Sequence, residues 1–343
     1  MNSYLDRVVL LFLSLSLLSC VQVGPSASSL TTVKRTQMHM GTLVSITAVG
    51  RTHDEANDAI TAGFQEIKRL EQLLSTWIPS SELSKVNAAA GRSAVKVSLE
   101  TMAVVRKALQ VAEMTDGAFN IAIGPAINAW NISDDPRLPT SEELAALKPL
   151  VDLQYVHTDV WERTIHLQKP GMRIDVGGIG KGYAADQAVL VMKKAGAAAG
   201  VVALSGDIKT FGRLPGGRRF PVGILHPRKE GEILAEIDLE DEAISTAGDY
   251  ERFFDKDGIR YHHILDPQTL QPARGCQSVS VIAKEGVWAD GLDTGIFVLG
   301  AERGMELVEQ LEDVEAIIVD GEGRVLISSG LRNRVRVASG FEQ

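Results

Sequence analysis

Asp175-Val176-Gly177-Gly178-Ile179-Gly180-Lys181-Gly182-Tyr183-Ala184-Ala185-Asp186 is the stretch on which the reading of this chain turns. An extended segment, Arg173 to Val176, runs into three glycines within four positions, followed by Lys181, Gly182 and a helical pattern. Glycines at such a junction allow a sharp turn and close approach of a ligand to the main chain. A helix start offers N–H groups without intrahelical partners and the positive end of the helix dipole, both suited to an anion such as phosphate. Lys181 adds a mobile positive charge at the same place. The spacing departs from both common phosphate-binding loops. A Walker A loop needs glycine where Asp175 stands and Ser or Thr where Gly182 stands. The dinucleotide pattern G-x-G-x-x-G, started at Gly178, needs its third glycine at Tyr183. On these residues alone, a phosphate cradle of another kind and a tight strand-to-helix turn with no ligand are both open.

Around this stretch lies a chain of 343 residues, 45% apolar and 23% charged, an ordinary globular balance. A formal net charge of −9 argues against a nucleic-acid-binding surface, so no nucleic-acid partner is expected. At the N-terminus, Arg7 precedes an apolar run from Val8 to Leu18 that is too short to span a bilayer and has the dimensions of a signal-peptide core. Leu17-Leu18-Ser19-Cys20 matches the bacterial lipobox, in which the cysteine is lipidated and becomes the new N-terminus. The expectation is a signal peptide over 1–19 and a Ser-rich flexible tether over 20–32, lipid-anchored through Cys20. The protein is then expected in the bacterial cell envelope, facing the periplasm or exterior. Cys276 is the only other cysteine, so a lipidated Cys20 leaves no disulfide within the mature chain.

The folded part is expected over 33–343 as one domain. Residues 42–49 are β-branched and partly alternating and read as a strand. Thr52-His53-Asp54-Glu55 fits a capping box, followed by Ala56, Ile60, Phe64, Ile67, Leu70 and Leu74 at helical spacing. Further helices are predicted from Ser98, after Thr140, over 181–195 with Gly196 as the stop, and over 287–299 and 301–311. Strands are predicted at 201–204, 220–224, 233–238, 260–265, 278–283 and 315–319. In 278–283, Val279 and Val281 alternating with Ser278 and Ser280 indicate one buried face. Without regular β-α alternation, the fold class is α+β, a single large mixed domain.

Four other features carry chemistry. Asp290 and Thr294 lie four apart in a predicted helix, so a carboxylate and a hydroxyl share one face, a partial shell for Mg²⁺ or Ca²⁺. A solvated Asp and a back-bonded Thr are the plainer alternative. Gly291 and Gly295 in that helix suggest a closely packed neighbouring backbone. His262 and His263 are adjacent on a predicted strand and face opposite ways, so only one can enter a given pocket, where it could act as a general base. Ser205-Gly206-Asp207 follows an apolar strand without a G-x-S-x-G frame, against a hydrolase nucleophile. Trp77, before Pro79, can stack on a flat ligand or cap the core.

In this order the pieces resemble the bacterial FAD:protein FMN transferases, the ApbE family. The resemblance runs from about Met38 to Gly300. Its marks are Met40-Gly41-Thr42, Asp116 to Asn120 leading to Ile123-Gly124-Pro125, and Asp175 to Asp186, similar to the family's D-L-S-G-I-A-K-G-Y-A-V-D. Ser245 to Tyr250, His263 to Pro267, and Ala289 to Thr294 complete the set. The resemblance implies an FAD site lined by Met40, Trp77, Ala118, Phe119, Asn120, Asp175, Lys181 and Ile264. It implies Mg²⁺ held by Asp290, Thr294 and the main-chain oxygen of Gly178, with Lys181 near the pyrophosphate and His263 as the candidate base. The implied reaction moves FMN from FAD, the substrate, onto a threonine hydroxyl of an exported or membrane-bound acceptor flavoprotein and releases AMP. Redox-driven ion-pump subunits are among the implied acceptors. An Mg²⁺-dependent FAD pyrophosphatase and a non-catalytic FAD-binding lipoprotein stand as alternatives. Asn120 stands where the family usually has Asp, Gly177 and Gly180 where it has Ser and Ala, and Asp293 where it often has Ser.

Overall fold

The computed structural model describes residues 30–338; Cys20, the signal segment and nearly all of the tether lie outside the described residues. Eight strands form one antiparallel sheet whose spatial order follows the chain: β1 (Thr31–His39), β2 (Thr42–Gly50), β3 (Ala199–Leu204), β4 (Asp207–Phe211), β5 (Ala243–Gly248), β6 (Cys276–Ala283), β7 (Val314–Asp320) and β8 (Val325–Ile327). β1 begins two residues before the expected boundary at Val33 and pairs with β2 through a tight turn, Met38 opposite Leu43. Its polar, alternating sequence, TTVKRTQMH, lacks the apolar run that marks a strand.

Four helices carry most of the packing: α1 (His53–Leu74), α2 (Leu99–Met114), α3 (Gly180–Lys194) and α4 (Gly286–Leu299). The Thr52 hydroxyl caps α1 by accepting from Glu55 N at 3.1 Å. The other half of the expected capping box goes elsewhere, because the Glu55 carboxylate accepts from Arg51 N. A complete box forms instead at Thr140 and Glu143, before the short helix Ser141–Leu147. Ser98 caps α2, and Gly196, at φ +95°, follows the end of α3 as expected.

α1, α3 and α4 bury their apolar stripes, including Ile60, Ile67, Ala184, Ala188, Leu292 and Ile296, against one face of the sheet. The other face meets a three-stranded sheet of Phe220–Leu225, Ile233–Leu239 and Val335–Val337, with Ile237 and Leu239 packing near Ile244, Ile282 and Ile317. This is an α+β fold, as expected. It corrects the one-sided reading of 278–283: both faces of β6 are buried, and Ser280 and Ser278 are as inaccessible as Val279 and Val281. Ser280 is satisfied there by a 2.8 Å hydrogen bond with Thr246.

Two further differences concern the site. The strand expected over 260–265 ends at His262, in a hairpin of Phe253–Lys256 with Ile259–His262. His263 to Leu265 then leave the ladder, because Ile264 O accepts from Ala273 N across the Asp266–Gln271 turn. The extended segment at Arg173 to Val176 joins no sheet. Its backbone is paired by a side chain: the Asn87 amide donates to Ile174 O at 2.9 Å and accepts from Ile174 N at 2.8 Å. Asp175 N donates to Ile121 O.

Candidate active site

One end of the sheet collects the functional residues. The β1–β2 turn at Met40-Gly41, the β3–β4 turn at Ser205-Gly206, the end of β5 and the start of α3 surround a cavity of about 770 Å³. That volume suits a sizeable organic ligand, since small-molecule sites span roughly 300–1,000 Å³. All twelve of the site candidates within the described residues line it: Met40, Trp77, Ala118, Phe119, Asn120, Asp175, Gly178, Lys181, His263, Ile264, Asp290 and Thr294.

Three of the four glycines, Gly177, Gly178 and Gly182, are required for space. Gly177, Gly178, Gly180 and Gly182 are not among the positive-φ glycines, so the turn is made without the left-handed region. A Cβ on Gly178 would lie 3.2 Å from Thr294 Oγ1 and 3.3 Å from Phe119. A Cβ on Gly182 would lie 2.1 Å from Gly286 O, so α3 and α4 touch backbone to backbone at this point. The close approach expected at Gly291 and Gly295 is made by side chains instead, Val111 and Thr115 of α2 and its end. Gly180 has no neighbour closer than 3.6 Å, and an alanine fits there.

The cradle at the start of α3 is more occupied than its sequence implies. Gly180 N donates to Val176 O, and Gly182 N donates to Asp290 Oδ2 at 2.8 Å. Asp175 closes the turn by accepting from Gly177 N at 2.7 Å and reaches across to the Thr76 hydroxyl at 3.1 Å. That bond ties the glycine turn to the loop bearing Trp77, whose ring is 73% exposed and free to meet a flat ligand. Asp186, one helical turn deeper, accepts from Gly286 N and Val287 N and so caps α4 from α3.

At the base of the cavity Asp207, Asp290 and Asp293 are all buried, with carboxylate oxygens within 4.8 Å of one another. Period-2 alternation puts Asp207 of β4 and Ser245 of β5 on the helix face of the sheet, where α4 presents Asp290, Asp293 and Thr294 at i, i+3 and i+4. Lys181 Nζ donates to Asp207 Oδ2. Ser245 Oγ lies 2.5 Å from Asp207 Oδ1 and 2.6 Å from Asp293 Oδ2, and Thr294 Oγ1 donates to Asp293 Oδ1 at 3.1 Å. Burial, then the charge of Asp207, pushes Asp290 well above the usual carboxylate range, while burial and Asp290 do the same to Asp293. Burial opposes the charge on Lys181, but Asp207 and Asp290 outweigh it and hold the ammonium above its ordinary value. Three buried carboxyl groups stand against one ammonium, so Asp290 and Asp293 retain protons that a cation could replace, and the ligands are all oxygen. That donor set fits a hard dication such as Mg²⁺. Asp207 and Ser245 thus join the residues found by sequence reasoning. Asp207 stood in Ser205-Gly206-Asp207, which is a two-residue hairpin turn with Ser205 at φ +58° rather than a nucleophile turn, and Ser245 opens the Ser245 to Tyr250 stretch.

His263 lines this cavity, while His262 does not and packs edge-on to Phe297. Burial, then the Arg252 charge, pushes the His263 imidazole down to about 3, so it is neutral at physiological pH. Nδ1 lies 3.3 Å from Arg252 O, which can only accept; the proton is therefore on Nδ1 and the lone pair on Nε2. Asn120 lines the cavity and its side chain also holds the main chain. Its amide oxygen accepts from Ala122 N at 2.8 Å and its NH₂ donates to Val151 O at 2.8 Å, so both ends hold the main chain behind the cavity.

A family model described as the ApbE family matches residues 40–318. Among curated proteins, the chain is 34% identical over 320 residues to the FAD:protein FMN transferase of Treponema pallidum, covering 88% of each. It is 34% identical over 294 residues to that of Salmonella typhimurium, covering 83% of each. Among solved structures it superposes on the ApbE protein of Thermotoga maritima with a TM-score of 0.82 at 30% identity, over 88% of this chain and 98% of that one. The flavin transferase ApbE of Vibrio cholerae gives a TM-score of 0.80 at 27% identity, over 89% and 99%. With the family model spanning most of its length, this chain belongs to the ApbE family.

Proposed function

We propose that this cavity transfers FMN from FAD to a threonine hydroxyl of an acceptor protein with the help of Mg²⁺. The observation that carries the reading is the convergence of an open, partly apolar cavity and a buried three-carboxylate cluster at its base. The first suits a large planar ligand and the second a dication beside a pyrophosphate. Relatives that share the fold are named FAD:protein FMN transferases, which supports the same assignment.

The chain's own residues have distinct tasks in that reaction. Trp77, Met40 and Phe119 supply apolar surface for the flavin, and the Asp175–Thr76 bond keeps the Trp77 loop against the glycine turn. His263 Nε2 takes the proton of the attacking threonine hydroxyl. The threonine oxygen bonds to the FMN phosphorus, the pyrophosphate P–O bond to the adenylate breaks, and AMP leaves with that electron pair. Lys181 is held by Asp207 as a fixed positive charge near the leaving phosphate. Burial and the Arg252 charge keep this imidazole neutral, with its Nε2 lone pair free to accept the proton. Mg²⁺ held by Asp290, Asp293, Asp207 and Thr294, with Gly178 O nearby, would neutralise charge on the pyrophosphate oxygens.

Lipidation at Cys20 and an envelope location belong to the same proposal, supported by the lipobox at Leu17 to Cys20. The test of transfer is incubation of the mature chain with FAD, Mg²⁺ and an exported flavoprotein acceptor, followed by denaturing electrophoresis. Flavin fluorescence on the acceptor is the expected result, lost in Asp290→Ala with FAD binding retained. Free FMN and AMP with no labelled acceptor would make the chain a pyrophosphatase, and intact FAD throughout would leave a binding protein.

A further inference from the structure

His262 and His263 are consecutive, yet they line different cavities. The cavity on the His262 side has a volume of about 540 Å³, and its wall includes Arg228, Arg260, Arg274, Asp249, Asp255 and His262. None of these residues has a task in the transfer reaction.

Its polar groups are unevenly satisfied. Asp249 engages Arg228 through both oxygens, at 2.6 and 2.7 Å, and its Oδ1 lies 3.8 Å from Arg260 Nη1. Arg260 is further positioned by stacking on Phe253, 3.9 Å from the ring centre, and by Asp255 at 3.5 Å. Arg274 has no hydrogen-bond or ion-pair partner among the described residues. Three guanidiniums thus face two carboxylates, one of them, Asp255, largely exposed to water, in a protein whose formal net charge is −9. His262 is 2% exposed; its Nε2 pairs with Ala273 O at 2.9 Å, which requires the proton on Nε2. Its Nδ1 lone pair is buried with no partner, the one such side-chain atom among the described residues. Native interiors rarely leave such a group unmet.

The unmet valences are of two kinds: guanidinium donors on Arg274 and an acceptor lone pair on His262. A carboxylate serves only the first. A hydrogen phosphate group serves both, accepting from guanidinium through its anionic oxygens and donating through its hydroxyl, directly or through one water. We propose that this second cavity binds a phosphate group, free or as the monoester of a small molecule. The volume leaves room for an organic portion beyond the phosphate itself.

The experiment is a calorimetric titration of the mature protein with the first cavity filled by saturating FAD and EDTA present to prevent turnover. The probes are inorganic phosphate, glycerol 3-phosphate and glutarate. Saturable binding of one or both phosphates is expected, with glutarate at least tenfold weaker. Arg274→Gln is expected to weaken phosphate binding tenfold or more while leaving FAD affinity unchanged, since its side chain is exposed and holds nothing in the fold. Tighter binding of glycerol 3-phosphate than of phosphate identifies a monoester site, and the reverse order a site for the free ion. The proposal is overturned if neither phosphate binds, if glutarate binds as tightly, or if Arg274→Gln binds like the parent. These outcomes are independent of flavin transfer, so the two readings fail separately.

Discussion

Gly182 N–H donates to Asp290 Oδ2 at 2.8 Å, and the missing side chain of Gly182 is what lets α4 come close enough to receive it. Residues 108 positions apart are thereby fixed as one unit. The glycine-rich turn and the acidic face of α4 form a single site because two helix backbones touch there.

Gly182→Ala therefore tests the architecture of the site. The new methyl would sit 2.1 Å from Gly286 O and 2.7 Å from the Asp290 Cβ, and both are backbone or backbone-proximal atoms that cannot swing aside. We expect a loss of about 1–3 kcal/mol in stability, typical of overpacking, together with loss of flavin transfer. Gly180→Ala, with 3.6 Å to its nearest neighbour, is the control and is expected to stay within about 0.5 kcal/mol of the parent. Urea denaturation of both variants provides the measurement, and equal behaviour of the two would contradict the close approach.

The dependence of Mg²⁺ binding on pH follows from the raised carboxylates. Asp290 and Asp293 in the metal-free fold hold protons that the unfolded chain has already lost above the usual carboxylate range. Their contribution to stability is thus present at low pH and is lost as pH rises through the raised values. In the proposed function Mg²⁺ would take the place of those protons, and it would then stabilise most where they are absent. The rise in Tm on adding Mg²⁺ is expected to be larger at pH 8 than at pH 5, measured by thermal unfolding with EDTA-treated protein. An equal rise at both values would mean that the ion binds elsewhere.

Trp77 should affect ligand binding with little effect on the fold. Its ring is 73% exposed and lines the cavity. Aromatic stacking contributes about 0.5–1.5 kcal/mol beyond area burial, so Trp77→Ala is expected to raise the Kd for FAD by roughly threefold to tenfold. Tm without FAD should stay unchanged. Quenching of flavin fluorescence on titration reads the affinity directly.

Asn120→Asp restores the residue usual in the family, yet in this chain it should destabilise. The oxygen that accepts from Ala122 N would remain, but the donor to Val151 O would become a carboxylate oxygen facing a carbonyl. A loss of about 1–3 kcal/mol is expected from the unsatisfied acceptor pair, with FAD affinity held within twofold. A large fall in FAD affinity with unchanged stability would return Asn120 to the flavin.

Much of the site was legible from residue types and spacing. Asp290 and Thr294 share a helix face because four residues make about one turn, and His262 and His263 diverge because neighbours in extended chain point apart. The amphipathic stripe of α1 and its Thr52 cap are equally local. β1 was hidden because an edge strand with one wet face needs no apolar run, and its partner β2 supplies the ladder. Asn87, which pairs the Ile174 backbone as a strand would, left no trace in sequence because its partner lies 87 residues away.

The sequence by itself therefore determined the four main packing helices, the α+β class and the chemical types available at the site, all of which depend on neighbours within a turn or a strand. Only the tertiary structure decided that Asp207 and Ser245 join Asp290 and Asp293, that Lys181 is held by a carboxylate, and that Asn120 serves the main chain. It also decided what the glycines at 175–186 are for. Their backbone angles are ordinary; the need for Gly177, Gly178 and Gly182 lies in the Asp175 carboxylate, in Phe119 and in α4, which occupy the space a side chain would fill. Close packing is a property of what arrives from elsewhere in the chain, and local pattern does not record it.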